Sequence, residues 1–273
     1  MLKLPKSFYY NTFILFVCLA TACKVQQKAI SAEQEAPMIL QGPAWAAAWQ
    51  QQAGEYKALC YQAYNLAQMR LDILMQQQYP KPVAIVTDID ETVLDNSPYQ
   101  VHQALRNAGY SDSSWMEWTA RVDCDTVPGA LSFLRYAKSK GVTVFYITNR
   151  LEKERTATLK DLQRWGFPDA TDEHLTMKTT TSGKETRRKK VAGNYEILLL
   201  LGDNLSDFSD VFDKKPLPER NDQAQYNAAM FGKKFIVLPN AMYGDWEGAL
   251  YQYQYNLPAK EKEKIIVQSL KKY

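Results

Sequence analysis

The stretch Val83-Ala84-Ile85-Val86-Thr87-Asp88-Ile89-Asp90-Glu91-Thr92-Val93-Leu94-Asp95 decides how this chain is organised. It opens on a continuous apolar and β-branched run, not an alternating one, as expected of a strand buried on both faces of a sheet. The run then passes straight into carboxylates. Three more short apolar runs of the same character occur at 142–147, 197–201 and 235–238, with helical stretches such as 129–140 and 153–165 between them. Strands alternating with helices imply an α/β fold, a Rossmann-like parallel sheet with helices on both faces. Polar residues follow three of these runs directly: Asp88, Thr148 and Asp203. The C-terminal ends of the strands are where open α/β sheets place their ligands.

Aspartates two apart on an extended chain point the same way, so Asp88 and Asp90 face one small ligand. Two close carboxylates repel unless a proton or a cation intervenes, and a hard ion such as Mg2+ suits oxygen-only ligands. A second acidic cluster, Leu201-Gly202-Asp203-Asn204-Leu205-Ser206-Asp207, also ends an apolar strand. A helix beginning near Asn204 would bring Asp203 and Asp207 to the same centre. One such cluster reads equally as a cap or a turn; two at the ends of two buried strands favour a metal site. Between them, Thr148 and Asn149 offer a hydroxyl and an amide that either donate to an anionic oxygen or cap the next helix. The basic stretch 178–190 offers a lysine to bridge phosphate and nucleophile, its neighbours forming a solvated helix face.

Composition narrows the chemistry. With 273 residues, 46% hydrophobic and 23% charged, the chain is neither disordered, collagenous nor a polytopic membrane protein. Its two histidines, His102 and His174, exclude three-histidine zinc sites, HExxH peptidases and phosphatases built on an Arg-His-Gly nucleophile motif. A net charge of +3, from 33 basic and 30 acidic residues, gives no footprint for a nucleic-acid polymer.

The N-terminus reads as a targeting segment. Lys3 and Lys6 precede the apolar run Phe13-Ile14-Leu15-Phe16-Val17-Cys18-Leu19-Ala20, which is too short to span a bilayer. Leu19-Ala20-Thr21-Ala22-Cys23 resembles a bacterial lipobox, making residues 1–22 a lipoprotein signal peptide and Cys23 the lipidated residue; simple secretion is the alternative. The expected location is the bacterial cell envelope, lipid-anchored at the outer membrane or periplasmic face. Residues 23–43 read as a polar tether and 44–273 as the folded domain. Cys60 and Cys124 would remain in it, paired or as buried free thiols. From 44 to 77, Tyr56, Leu59, Cys60, Ala63, Leu66, Ala67, Arg70, Leu71 and Leu74 follow helical spacing, predicting one or two amphipathic helices.

Asp88-Ile89-Asp90-Glu91-Thr92, Thr148-Asn149-Arg150, Ser182-Gly183-Lys184 and Gly202-Asp203-Asn204-Leu205-Ser206-Asp207 together resemble the motifs of the haloacid dehalogenase superfamily. More narrowly, the chain is similar to the class C acid phosphatases, bacterial outer-membrane lipoproteins with 5′-nucleotidase activity. Val127-Pro128-Gly129-Ala130, Phe235-Ile236-Val237-Leu238-Pro239-Asn240 and Tyr243-Gly244-Asp245-Trp246-Glu247 extend the likeness. The resemblance implies a Mg2+-dependent phosphomonoesterase acting on nucleoside monophosphates or nicotinamide mononucleotide. In it Asp88 is the nucleophile and Asp90 the general acid and base. The metal sits among Asp88, the Asp90 main-chain carbonyl, Asp203 and Asp207, and Thr148, Asn149 and Lys184 bind phosphate. Because the segment from Lys184 to Asp203 is slightly shorter than usual, Lys178 is the alternative lysine.

The resemblance also implies that an insertion after the first motif, about 96–127, forms a small, mainly helical cap. Its Tyr99, Trp115 and Trp118, together with Tyr243, are the expected substrate-reading aromatics, though rings at helical spacing equally pack a cap onto its sheet. A neighbouring subunit of a homodimer is another source of selectivity. The competing functions are a phosphotransferase using the same aspartyl-phosphate and a non-catalytic, ligand-binding surface lipoprotein.

Overall fold

The computed structural model describes residues 36–273. The signal peptide, Cys23 and most of the expected tether lie outside the described residues. The first helix, α1 (Met38–Gln52), begins within the segment read as tether. The reason is Met38-Ile39-Leu40-Gln41, whose apolar residues pack on the insert while the Gln41 amide donates to Ala104 O and to Asn107 Oδ1 at 3.0 and 2.9 Å. Ala53, in an extended conformation, breaks the 44–77 helical stretch, and α2 (Gly54–Leu74) follows.

On α2 the buried stripe is Tyr56, Cys60, Tyr64, Ala67 and Leu71. Leu59, expected in the stripe, is exposed, and Tyr64 takes part instead. Its phenol reaches the main-chain carbonyl of Thr92 at 2.5 Å, tying the helix to the first acidic motif.

Strand β1 (Val83–Thr87) leads to that motif. A two-stranded antiparallel ribbon, β2 (Leu94–Asp95) with β3 (Asp125–Thr126), then closes the base of the insert, whose body is α3 (Ser97–Leu105) and α4 (Asp112–Thr119). The sheet resumes after α5 (Ala130–Ser139) with β4 (Thr143–Leu151), α6 (Arg155–Trp165), β5 (Leu175–Lys178), α7 (Glu185–Asn194) and β6 (Glu196–Gly202). Helix α8 (Leu217–Tyr226), strand β7 (Phe235–Val237) and helices α9 (Asp245–Leu250) and α10 (Ala259–Ser269) complete the chain.

Five strands pair in parallel in the order β5-β4-β1-β6-β7. The chain winds outward from β1 in one direction, then returns to wind in the other. The direction reverses beside β1, so the topological switch point falls at Asp88. Strand parity assigns the core: Ile85, Val144, Tyr146, Leu199 and Leu201 face the cluster built with α2, α5 and α6. Ala84, Val86, Phe145, Ile147 and Leu200 face the opposite cluster, which includes Val191 of α7, Phe208 and Phe235. The continuous hydrophobicity of these strands therefore reflects burial on both sides. Cys60 and Cys124 are both buried and free, so they do not pair.

Candidate active site

Strands β1 and β6 are neighbours, and the Asp88 amide still donates to Leu201 O at 2.9 Å. The two acidic motifs therefore leave the sheet side by side. After β6 the chain makes a single 3-10 turn, Leu205–Asp207, in which Asp207 Oδ2 accepts from the Asn204 amide at 3.0 Å. That turn folds Asp207 back over the strand end. Carboxylate oxygens of Asp88, Asp203 and Asp207 lie within 4.8 Å of one another.

The Lys184 ammonium, buried at the start of α7, bridges Asp88 and Asp207, the latter at 2.7 Å. Lys178 ends the edge strand β5 and does not make these contacts; Lys184 is the lysine the fold brings to Asp88. Burial disfavours its positive charge, but Asp207 and Asp88 outweigh that and hold it above the usual lysine value. The carboxylates are less well supplied. Burial first, opposed by Lys184 and reinforced by Asp207 and Asp90, pushes the Asp88 carboxyl up. Burial and then Asp207 and Asp88 hold Asp203 well above the usual carboxylate range, although Asn240 Nδ2 donates to it at 2.7 Å. One ammonium against three carboxylates leaves a site in need of positive charge. The donors are all oxygens, with no histidine or cysteine in the cluster, which fits a hard divalent cation.

Asp90 stands apart from that cluster. Its carboxylate is paired with Arg150 at 2.8 Å, and its expected contribution to a metal is through the main chain. Thr148 and Asn149 lie on the final residues of β4, which continues beyond Ile147 through an irregular register with β5. Thr148 is buried, its hydroxyl 3.4 Å from Asp90 Oδ2 and accepting from the Arg150 amide at 3.0 Å. Asn149 Oδ1 accepts from Arg187 Nη2 at 2.7 Å.

Three arginines join the site that sequence reasoning did not single out. Arg150 holds Asp90. Arg187 donates to Thr148 O at 2.6 Å, and Arg188 to Ser206 O and Asp207 O, both at 2.8 Å. The 178–190 stretch is thus not simply a solvated helix face. Lys184, Arg187 and Arg188 lie at i, i+3, i+4 and are all buried, clamping two motif loops onto one helix. That spacing was the available signal.

The aromatics of the insert are arranged mostly around themselves. Tyr99 is 2% exposed, its ring edge-on to Trp115 at 5.0 Å between centroids and its hydroxyl paired with Ser114. Trp115 also packs near Tyr110 and is buried. Tyr99 and Trp115 therefore pack the cap and present no open ring face. Trp118 is half-buried and donates its indole N–H to Asn96 Oδ1 at 2.8 Å. Tyr243 lies in the loop before α9, its buried hydroxyl without a hydrogen-bond partner.

Comparison with known proteins agrees with this arrangement. The chain is 44% identical to the class C acid phosphatase of Bacillus anthracis, whose solved structure superposes with a TM-score of 0.83 over 86% of this chain and 99% of that one. A second structure of that enzyme, with tungstate bound, matches with the same identity and TM-score over 86% of this chain and 98% of that chain. Acid phosphatase 1 of Solanum lycopersicum is 28% identical over 130 residues, 45% of this chain and 50% of that protein. The chain spans about half the length of the curated relatives it matches. The family model described as HAD superfamily, subfamily IIIB (Acid phosphatase) matches residues 7–246, so the chain belongs to that family.

Proposed function

We propose that the protein is a Mg2+-dependent acid phosphatase that hydrolyses phosphomonoesters through an aspartyl-phosphate. The observation that carries this reading is the position of Asp88 at the topological switch point, bridged by Lys184 to Asp207 and within reach of Asp203. That the related Bacillus anthracis enzyme was crystallised with tungstate, a tetrahedral oxyanion, supports a phosphate-shaped site.

In this reading the Asp88 carboxylate attacks phosphorus, dividing hydrolysis into two displacements. Asp90 protonates the leaving alcohol and then takes a proton from the attacking water. Lys184 and the Thr148 hydroxyl hold phosphoryl oxygens where negative charge accumulates. Asn149 supports the same loop while held by Arg187. A divalent cation held by Asp88, Asp203, Asp207 and the Asp90 carbonyl would supply the charge that lets a carboxylate approach a phosphate dianion.

The substrates we favour are nucleoside monophosphates and nicotinamide mononucleotide. With Tyr99 and Trp115 packed inside the cap, selection among leaving groups falls to Trp118 and Tyr243. We further propose that Cys23 is lipidated and anchors the protein in the bacterial envelope; among the described residues no helix is long and apolar enough to cross a membrane.

The deciding experiment compares wild type with Asp88→Asn on a panel of phosphomonoesters, with and without Mg2+. Asp88→Asn keeps the size of the side chain and removes its charge. Phosphate release should fall to background with the thermal midpoint retained. Substantial turnover by that variant would refute the aspartyl-phosphate.

A further inference from the structure

The Asp90 carboxylate is gripped on one oxygen only. Oδ1 accepts from Arg150 Nε at 2.9 Å, from Arg150 Nη2 at 2.8 Å and from Asn96 Nδ2 at 2.9 Å. Oδ2 has a single longer contact, with the Thr148 hydroxyl at 3.4 Å. Three donors on one carboxylate oxygen use up its lone pairs, so a proton carried by Asp90 belongs on Oδ2.

The grip is itself held. The Arg150 side chain is fully buried, and its remaining Nη1 donates to Thr158 Oγ1 at 3.2 Å. The guanidinium lies 5.9 Å from the Trp115 ring centroid, against the insert. The Asn96 amide has its orientation set from the same side, because the Trp118 indole N–H can only donate and must meet Oδ1, which turns Nδ2 towards Asp90. A lysine at 150 would supply charge, but not a planar fork that places two N–H groups on one oxygen and a third on Thr158.

We propose that Arg150 and Asn96 are the positioning residues for leaving-group protonation, locking Asp90 so that Oδ2 delivers the proton. This rests on the phosphomonoesterase reading above. In the first displacement an Asp88–phosphorus bond forms and the bond from phosphorus to the leaving oxygen breaks. The electron pair stays on that oxygen, which receives the proton from Asp90 Oδ2. In the second, water bonds to phosphorus and gives a proton to Oδ2, and the Asp88–phosphorus bond breaks to regenerate the carboxylate.

The test is leaving-group dependence. Dinitrophenolate departs from 2,4-dinitrophenyl phosphate without a proton, whereas an alkyl phosphate such as glycerol phosphate requires one. For Arg150→Lys, kcat/KM for the alkyl ester should fall roughly 100-fold or more, and that for the dinitrophenyl ester less than about 10-fold. Asn96→Ala, which removes one donor and leaves Arg150, should show the same selectivity at smaller amplitude. Equal losses on both esters would overturn the proposal, since a merely structural role does not sense the leaving group. If Arg150→Lys has no cooperative thermal transition, the ratio for Asn96→Ala decides. Wild type inactive on both esters would instead overturn the phosphomonoesterase reading.

Discussion

Gly202 and Asp207 are packed so closely that a Cβ on Gly202 would collide with the Cβ, Cγ and Oδ2 of Asp207. The end of β6 thus lacks a side chain because the 3-10 turn folds Asp207 back into that space. Gly202→Ala should displace Asp207 from Lys184 without disturbing the sheet, whose hydrogen bonds do not depend on residue 202 having a side chain. We expect kcat/KM to drop roughly 100-fold, because sub-ångström placement governs catalysis. A crystal structure of the variant should show the Asp207–Lys184 contact lengthened. Wild-type activity would mean Asp207 has no role in the reaction.

Charge imbalance in the carboxylate cluster predicts a link between metal and stability. Asp203 is held well above its usual value by burial and by Asp207 and Asp88, so its ionisation opposes folding when no cation is bound. In chelator, Asp203→Asn should therefore melt at the same temperature as wild type or higher. Adding Mg2+ at about 100 times its dissociation constant should stabilise wild type by roughly 2.7 kcal/mol, and the variant by much less. Thermal scans with and without chelator read this independently of activity. Equal Mg2+-induced shifts in the two proteins would remove Asp203 from the metal site.

The carboxylates were legible in the sequence because strand geometry alone places them. A buried strand ending in Asp88, and another ending in Asp203, reach the same edge of a parallel sheet whatever the loops do. The contacts of Arg150, Arg187 and Arg188 were not legible, because a charged residue on a helix or strand end is solvated by default; only the i, i+3, i+4 spacing of Lys184, Arg187 and Arg188 hints at a shared buried face. Their partners, Asp90 and the carbonyls of Thr148, Ser206 and Asp207, are distant in sequence. Strand β5 carries only a faint strand signature because Leu175-Thr176-Met177-Lys178 is short and alternates, as an edge strand does, unlike the strands buried on both faces. The choice between Lys184 and Lys178 depends on how 179–183 turns, which spacing does not encode.

The buried free thiols of Cys60 and Cys124 predict a stability limit in alkali. Burial pushes Cys60 up to about 11, and burial likewise pushes Cys124 up, against the pull of Arg150. Both are thus protonated in the folded protein at a pH where the unfolded chain has begun to ionise them. Their contribution is fully present below the unfolded thiol value and is lost as pH rises towards the folded one. Urea midpoints should fall between pH 9 and 11, with each thiol contributing a slope of about 1.4 kcal/mol per pH unit. Cys60→Ser with Cys124→Ala should flatten that slope. A thiol reagent should label neither cysteine at neutral pH until the protein unfolds, and rapid native labelling would contradict their burial.

The last prediction separates rings that pack from rings that read substrate. Tyr99 is buried edge-on against Trp115 with its hydroxyl paired with Ser114, so Tyr99→Leu leaves a cavity and removes one hydrogen bond, while Ser114 keeps its contacts with Ser111 and Gln103. It should cost roughly 2–3 kcal/mol of stability. The ratio of kcat/KM for a nucleoside monophosphate to that for glycerol phosphate should stay as in wild type. Trp118 and Tyr243 are half-buried, and phosphate contacts common to all monoesters cannot discriminate among leaving groups. Trp118→Leu or Tyr243→Leu should therefore lower that ratio, by roughly 5-fold to 150-fold if one base-stacking contact worth about 1–3 kcal/mol is lost. Trp118 also orients Asn96, so its replacement should in addition weaken glycerol phosphate relative to a dinitrophenyl ester, whereas Tyr243→Leu should not. That difference distinguishes a ring that reads the substrate from one that acts through Asp90. Should both substitutions leave the nucleotide ratio unchanged, selectivity does not arise from Trp118 or Tyr243, and the exposed Tyr110 and Trp246 or a neighbouring subunit become the places to seek it.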